Sequence, residues 1–142
     1  MTKATSVRPA AKRPIVTRYV LDSSALLAVL FLEEGGDLVA DVLGHAVISA
    51  VNMAETITKL VDRGMTLSKA AHAVRIFQMQ VEPFDEHLAV SAAALRAPTA
   101  KIGLSLGDRA CVAVAQKLNM PIMTADTIWA KLDIGVEVKL IR

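Results

Sequence analysis

Tyr19-Val20-Leu21-Asp22-Ser23-Ser24-Ala25-Leu26-Leu27-Ala28-Val29-Leu30 is the stretch that decides the fold. It begins with bulky, β-prone residues and ends in strong helix formers, with Asp22 at the junction. The chain is expected to turn there, which puts Asp22 at the carboxyl end of a strand. Pro121-Ile122-Met123-Thr124-Ala125 repeats the pattern: a short apolar run closed by Asp126, with a helix expected over 127–132. In open α/β sheets the crevice beyond the carboxyl ends of the strands is where ligands bind.

Between these two stretches, short apolar runs alternate with helical periodicity. A helix through residue 32 is followed by the Glu33-Glu34-Gly35-Gly36 break and a short helix over 37–43. A strand is expected over 46–49, then an amphipathic helix over 51–63 that Gly64 stops, and a further helix over 66–78. A strand over 80–83 leads to a helix that Asp85 caps and that Pro98 ends. Gly107-Asp108 opens a helix through Leu118, 121–124 is a strand, and the alternation over 136–140 fits an edge strand. The strands are too apolar to face water. The expectation is an α/β fold with a central, mostly parallel sheet of about five strands and helices on both faces.

The 142 residues suit one domain, and 54% hydrophobic content against 21% charged suffices for a buried sheet. Residues 1–18 carry Lys3, Arg8, Lys12, Arg13 and Arg18 with Pro9 and Pro14, and read as a flexible basic arm before a domain over 19–142. A net charge of +2 permits nucleic-acid binding without demanding it. The single cysteine, Cys111, allows no internal disulfide and reads as a core residue. The run over 19–32 contains Asp22 and is too short to span a bilayer, so no membrane role and a cytoplasmic location are expected.

Four acids stand at element junctions: Asp22, Glu55, Asp108 and Asp126. Each also has a plainer reading. The three aspartates suit helix N-caps, each worth about 1 kcal/mol, and Glu55 suits a pair with Lys59 worth about 0.3 kcal/mol. Those readings leave unexplained why two strands end alike, with Ser23 and Thr124 beside the acids. Carboxylates gathered without a cation repel one another, so a convergent set calls for a hard divalent metal, Mg²⁺ or Mn²⁺. His45, His72 and His87 have no paired metal spacing, which argues against zinc.

Tyr19-Val20-Leu21-Asp22-Ser23-Ser24-Ala25-Leu26-Leu27-Ala28, Asn52-Met53-Ala54-Glu55, Leu106-Gly107-Asp108-Arg109-Ala110 and Met123-Thr124-Ala125-Asp126 resemble, in order, the four acidic motifs of PIN-domain ribonucleases, and most closely those of VapC toxins of type II toxin–antitoxin systems. The resemblance implies a PIN-like fold and endoribonuclease activity dependent on Mg²⁺ or Mn²⁺, with one or two metals. It implies Asp22, Glu55, Asp108 and Asp126 as catalytic, metal-binding acids and Ser23 and Thr124 as polar helpers. Arg109 and Lys101 are then the candidates for holding the RNA backbone. As partners it implies an RNA substrate, a homodimer and a small VapB-like antitoxin that lies in a groove of the toxin and alone carries contact with operator DNA. Apolar residues over 25–32, 57–61 and 70–77 are candidates for that groove. When free of its antitoxin, such a protein inhibits translation and growth.

Two rival readings differ in class. A haloacid-dehalogenase-like phosphatase needs a second Asp two residues after the first, and Ser24 stands there. A noncatalytic α/β module that binds nucleic acid or protein predicts no metal affinity and no loss of function in Asp22→Asn.

Overall fold

The computed structural model describes residues 16–142. The first fifteen residues of the expected basic arm lie outside the described residues, while Arg18 is anchored to the domain, donating to the His45 carbonyl and the Gln80 side chain. Five strands form one parallel sheet: β1 (Val20–Leu21), β2 (Val47–Ser49), β3 (Gln80–Glu82), β4 (Ile122–Thr124) and β5 (Val138–Leu140). Their spatial order is β3-β2-β1-β4-β5, and every pairing is parallel. The chain builds outward from β1 to β3, then crosses back to lay β4 on the other side of β1. The strand order thus reverses between β1 and β4, with Leu21 beside Met123.

Among the described residues seven α-helices cover the sheet: α1 (Ser23–Leu30), α2 (Gly36–Ala40), α3 (Ala50–Asp62), α4 (Leu67–Arg75), α5 (Glu86–Ala94), α6 (Arg96–Thr99) and α7 (Leu106–Leu118). Successive strand residues point to opposite faces, and the two cores follow that rule. Val20, Val47 and Ile122 pack beneath α5 and α7 with Cys111 and Trp129, whereas Leu21, Ile48 and Met123 pack against α1, α3 and α4. All six strand residues are fully buried. That explains the near-continuous apolar runs seen in the sequence, since a sheet covered on both faces has no solvent side.

Several expected boundaries move, for local reasons. The stretch after Asp126 is a short 3-10 helix (Thr127–Lys131) in place of an α-helix. Pro98 does not end the helix that Asp85 starts. That helix stops at Ala94, and Pro98 sits inside α6 at its third residue, where a first-turn N–H has no intrahelical partner to lose. The final long helix opens at Leu106 with Ser105 as its N-cap, so Asp108 is inside the first turn.

Gly35 lets the chain reverse between α1 and α2. Its φ is 88°, and a Cβ there would overlap the Ile141 carbonyl, which follows β5. Gly35→Ala is therefore expected to destabilise the fold by about 2–4 kcal/mol, combining left-handed strain with a backbone clash. Urea unfolding measures this; a loss below about 0.5 kcal/mol would contradict the close approach.

Candidate active site

Asp22 is 4% exposed and lies at the end of β1, at the point where strand order reverses. It is the N-cap of α1: Oδ1 accepts the Ala25 N–H at 2.9 Å. The Ser24 hydroxyl lies 2.7 and 2.9 Å from the two carboxylate oxygens, and Thr124, at the end of β4, donates to Oδ2 at 2.6 Å. Ser24 Oγ in turn accepts the Ala125 N–H at 2.9 Å, and Thr124 Oγ1 accepts that of Asp126 at 3.0 Å. One buried carboxylate thus stitches the loop after β1 to the loop after β4.

Glu55 comes from α3, whose N-cap Ser49 ends β2. Its Oε1 accepts from Asn52 at 2.9 Å and from Ser23 at 3.4 Å. No ion pair joins it to Lys59: among the described residues the ion pairs are Lys117 with Glu82 and Arg142 with Glu33. Asp108 closes a capping box, with Ser105 accepting the Asp108 N–H and Asp108 Oδ2 accepting that of Ser105. Asp126, exposed, caps the 3-10 helix through Oδ1.

Asp22, Glu55 and Asp108 are brought to one place, with Cys111 beneath. Burial raises the Cys111 thiol pKa, and the charges of these same three acids push it further up. Thr124 and Ser23 are part of the cluster through their hydrogen bonds. Asp126 shares the loop after β4 but makes no hydrogen bond to the other acids. Of the basic candidates, Arg109 is tied to α5 by an Nη1 bond to the Ala92 carbonyl at 3.0 Å, and Lys101 is exposed in the segment before α7.

The cap readings are thus accurate for Asp22 and Asp126, yet they account for only part of each carboxylate. Asp108 Oδ1, Glu55 Oε2 and Asp126 Oδ2 accept no hydrogen bond from any described residue. No lysine or arginine neutralises any of the four acids among the described residues. Such oxygen-only, uncompensated donors fit a hard divalent cation. In their present rotamers no three described His, Cys, Asp or Glu side chains converge on one point. Asp22 is buried, Glu55 and Asp108 are half-buried and Asp126 is exposed; a separate hollow of about 490 Å³ lies between α1 and α2 beside Ala28, Val29 and Leu32.

Three contributors were not singled out in the sequence. Ser24 looked like part of a helix start, though its place two residues after Asp22 is where a hydroxyl reaches back to a capping carboxylate. Asn52 is three residues before Glu55, a spacing that puts the two on one helix face. Gly107 showed only as a helix opener.

A family model for the PIN domain matches residues 19–135. The chain belongs to the PIN domain family. Its fold is shared with solved structures of toxin–antitoxin proteins. A chain of VapBC-5 from Mycobacterium tuberculosis is 26% identical with a TM-score of 0.61, covering 89% of this chain and 99% of that one. VapC20 from the same organism, a toxin described as cleaving the sarcin-ricin loop, is 22% identical with a TM-score of 0.65, over 84% and 98%. A chain of DNA-bound VapBC from Salmonella typhimurium is 15% identical with a TM-score of 0.68, over 89% and 100%. No curated protein matches the sequence. The expected membership of the PIN-domain family, with VapC-type proteins among the structural neighbours, is borne out.

Burial pushes the Asp22 carboxyl up to about 6 from an ordinary 3.8. Hydrogen bonds from Thr124, Ala25 and Ser24 pull the other way, and the Asp108 charge adds to the rise. Below about pH 3 the group is largely protonated in folded and unfolded chains alike. As pH rises toward 6 the unfolded chain ionises first, so the metal-free protein loses stability, on the order of 3 kcal/mol once both states are ionised. Asp22→Asn removes that loss. Urea midpoints of the two proteins in EDTA should coincide near pH 3 and diverge by pH 7, with Asp22→Asn the more stable; parallel curves would rule out a raised Asp22.

Proposed function

We propose that the protein is a Mg²⁺- or Mn²⁺-dependent endoribonuclease, the toxin of a type II toxin–antitoxin pair, which hydrolyses RNA phosphodiester bonds and inhibits translation when free of its antitoxin. The observation that carries this reading is the uncompensated cluster of Asp22, Glu55 and Asp108 at the reversal of strand order. Nothing in folding calls for such a cluster: like charges in a partly buried setting cost stability. Family membership supports the same reading.

Asp22, Glu55, Asp108 and Asp126 would hold the cation, directly or through water. A bound divalent ion supplies charge neutralisation at the phosphate and acidifies water. The residues of the chain do the rest. Ser24, Thr124 and the Ala25 N–H hold Asp22 in a single rotamer, so its oxygens need no reorganisation when RNA arrives. Asp22 is deprotonated above about pH 6. An acid not engaged in ligation accepts the proton of the attacking water as the phosphorus–oxygen bond to the leaving group breaks. Ser23, 3.4 Å from Glu55, is available to donate to a phosphate oxygen. Lys101 is the freer of the two basic candidates for RNA backbone contact. Arg109 brings its charge to the start of α7 while one of its N–H groups is engaged by Ala92.

The antitoxin partner is inferred from the toxin–antitoxin neighbours. The hollow between α1 and α2 is lined by Ala28, Val29 and Leu32; within the 25–32 part of the expected groove Leu32 is 92% exposed, whereas Ala25, Leu26 and Ala28 are buried in the core. A homodimer is proposed on the family resemblance. No described helix is long and apolar enough to cross a membrane, in keeping with the proposed cytoplasmic setting.

Purified, antitoxin-free protein should cut total cellular RNA with Mg²⁺ or Mn²⁺ and fail in EDTA. Asp22→Asn and Asp108→Asn should each lower cleavage by at least about a hundredfold, with circular dichroism unchanged. Undiminished cutting by either variant removes that acid from the site. Cutting that ignores EDTA removes the metal, and no cutting of any RNA together with no Mn²⁺ binding favours the noncatalytic binding module.

A further inference from the structure

Glu55 differs from the three aspartates in having no capping duty. It is a flexible side chain in the middle of α3, and its position depends on what grips it. Asn52, one turn earlier and 1% exposed, donates from Nδ2 to Glu55 Oε1 at 2.9 Å and to the Gly107 carbonyl at 3.0 Å. Both hydrogens of the amide nitrogen are thus used on acceptors, which also settles which way the amide points. The other end of the same amide, Oδ1, is buried and accepts no hydrogen bond. A buried acceptor without a partner costs stability, so folding alone gives little reason for asparagine here.

Gly107 completes the arrangement from the opposite side. A Cβ at this position would overlap both carboxylate oxygens of Glu55. The first turn of α7 can approach Glu55 closely, bringing Asp108 with it, because position 107 has no side chain. We infer that Asn52 and Gly107 form a seat for Glu55. Asn52 is a positioning residue that acts through the Glu55 carboxylate and ties α3 to α7, and Gly107 keeps the space that this carboxylate occupies. The inference rests on the reading of the acids as a divalent-cation site and adds how one of its ligands is placed.

The test is Mn²⁺ affinity, by titration calorimetry on the full chain, with RNA cleavage kinetics and thermal unfolding measured beside it. Asn52→Ala should weaken Mn²⁺ binding about tenfold, as loss of a residue supporting a ligand does, and lower kcat with KM nearly unchanged. Gly107→Ala should do the same while remaining folded, since only the far end of a flexible side chain stands in the way of the new methyl. In a Glu55→Gln background neither substitution should weaken Mn²⁺ binding further, because a residue acting through Glu55 has nothing left to act through. Effects that add fully to Glu55→Gln, or affinity unchanged in both Asn52→Ala and Gly107→Ala, overturn the seat. Should Asn52→Ala fail to fold, Gly107→Ala alone decides. Absence of Mn²⁺ binding by the unsubstituted protein, or undiminished binding by Asp22→Asn, overturns the cation site itself and the seat with it.

Discussion

A buried carboxylate at the reversal of strand order is the constraint around which the rest is arranged. Asp22 emerges from the central strand, and its two oxygens are held by groups from both sides of the strand reversal: Ala25 and Ser24 after β1, Thr124 at the end of β4. Secondary bonds through Ser24 and Thr124 fix the backbone at Ala125 and Asp126. These contacts are short and cooperative, yet they do not cancel the cost of burial, and the group remains hard to ionise. The native fold therefore carries an unsatisfied electrostatic demand at the one place where a doubly wound sheet offers a crevice.

That demand connects stability to chemistry. Folding energy here comes from the two apolar layers, Val20, Val47 and Ile122 on one side and Leu21, Ile48 and Met123 on the other. They are extensive enough to tolerate a costly site between the helices. A cation arriving at the acids would relieve repulsion that the apo-protein must otherwise bear, so binding and stabilisation are linked by mass action. Burial makes the Asp22 charge costly, while the hydrogen bonds that partly offset that cost are what would let it work without rearrangement.

Each of the three aspartates also has a second, structural duty, and this explains why single-residue reasoning left the matter open. Asp22 and Asp126 cap helices and Asp108 closes a capping box, so all three aspartates have ordinary local explanations that are true. What the local explanations do not account for is that Asp22, Glu55 and Asp108, from three different elements, all act on Cys111. Capping uses one oxygen of Asp108 and of Asp126 and leaves the other without a hydrogen bond from a described residue. Glu55 alone has no cap to make, and it is the acid for which the fold supplies a dedicated grip from Asn52 and an empty position at Gly107.

The amino-acid sequence by itself determined the class of fold, because hydrophobic runs of strand length between helical periods leave few ways to bury apolar surface. It also placed Asp22 and Asp126 at strand ends, since the change from β-prone to helix-forming residues happens at those positions. It could not determine where Pro98 would fall, because a proline suits the first turn of a new helix as well as the end of an old one. Nor could it show that Ser24 bridges two loops a hundred residues apart, that Glu55 turns to Asn52 and not to Lys59, or that Arg109 is tied to Ala92. Those outcomes depend on which helix lies beside which across the sheet. The order β3-β2-β1-β4-β5 brings the ends of β1 and β4 together, and only that tertiary neighbourhood decides which of several available partners each polar group meets.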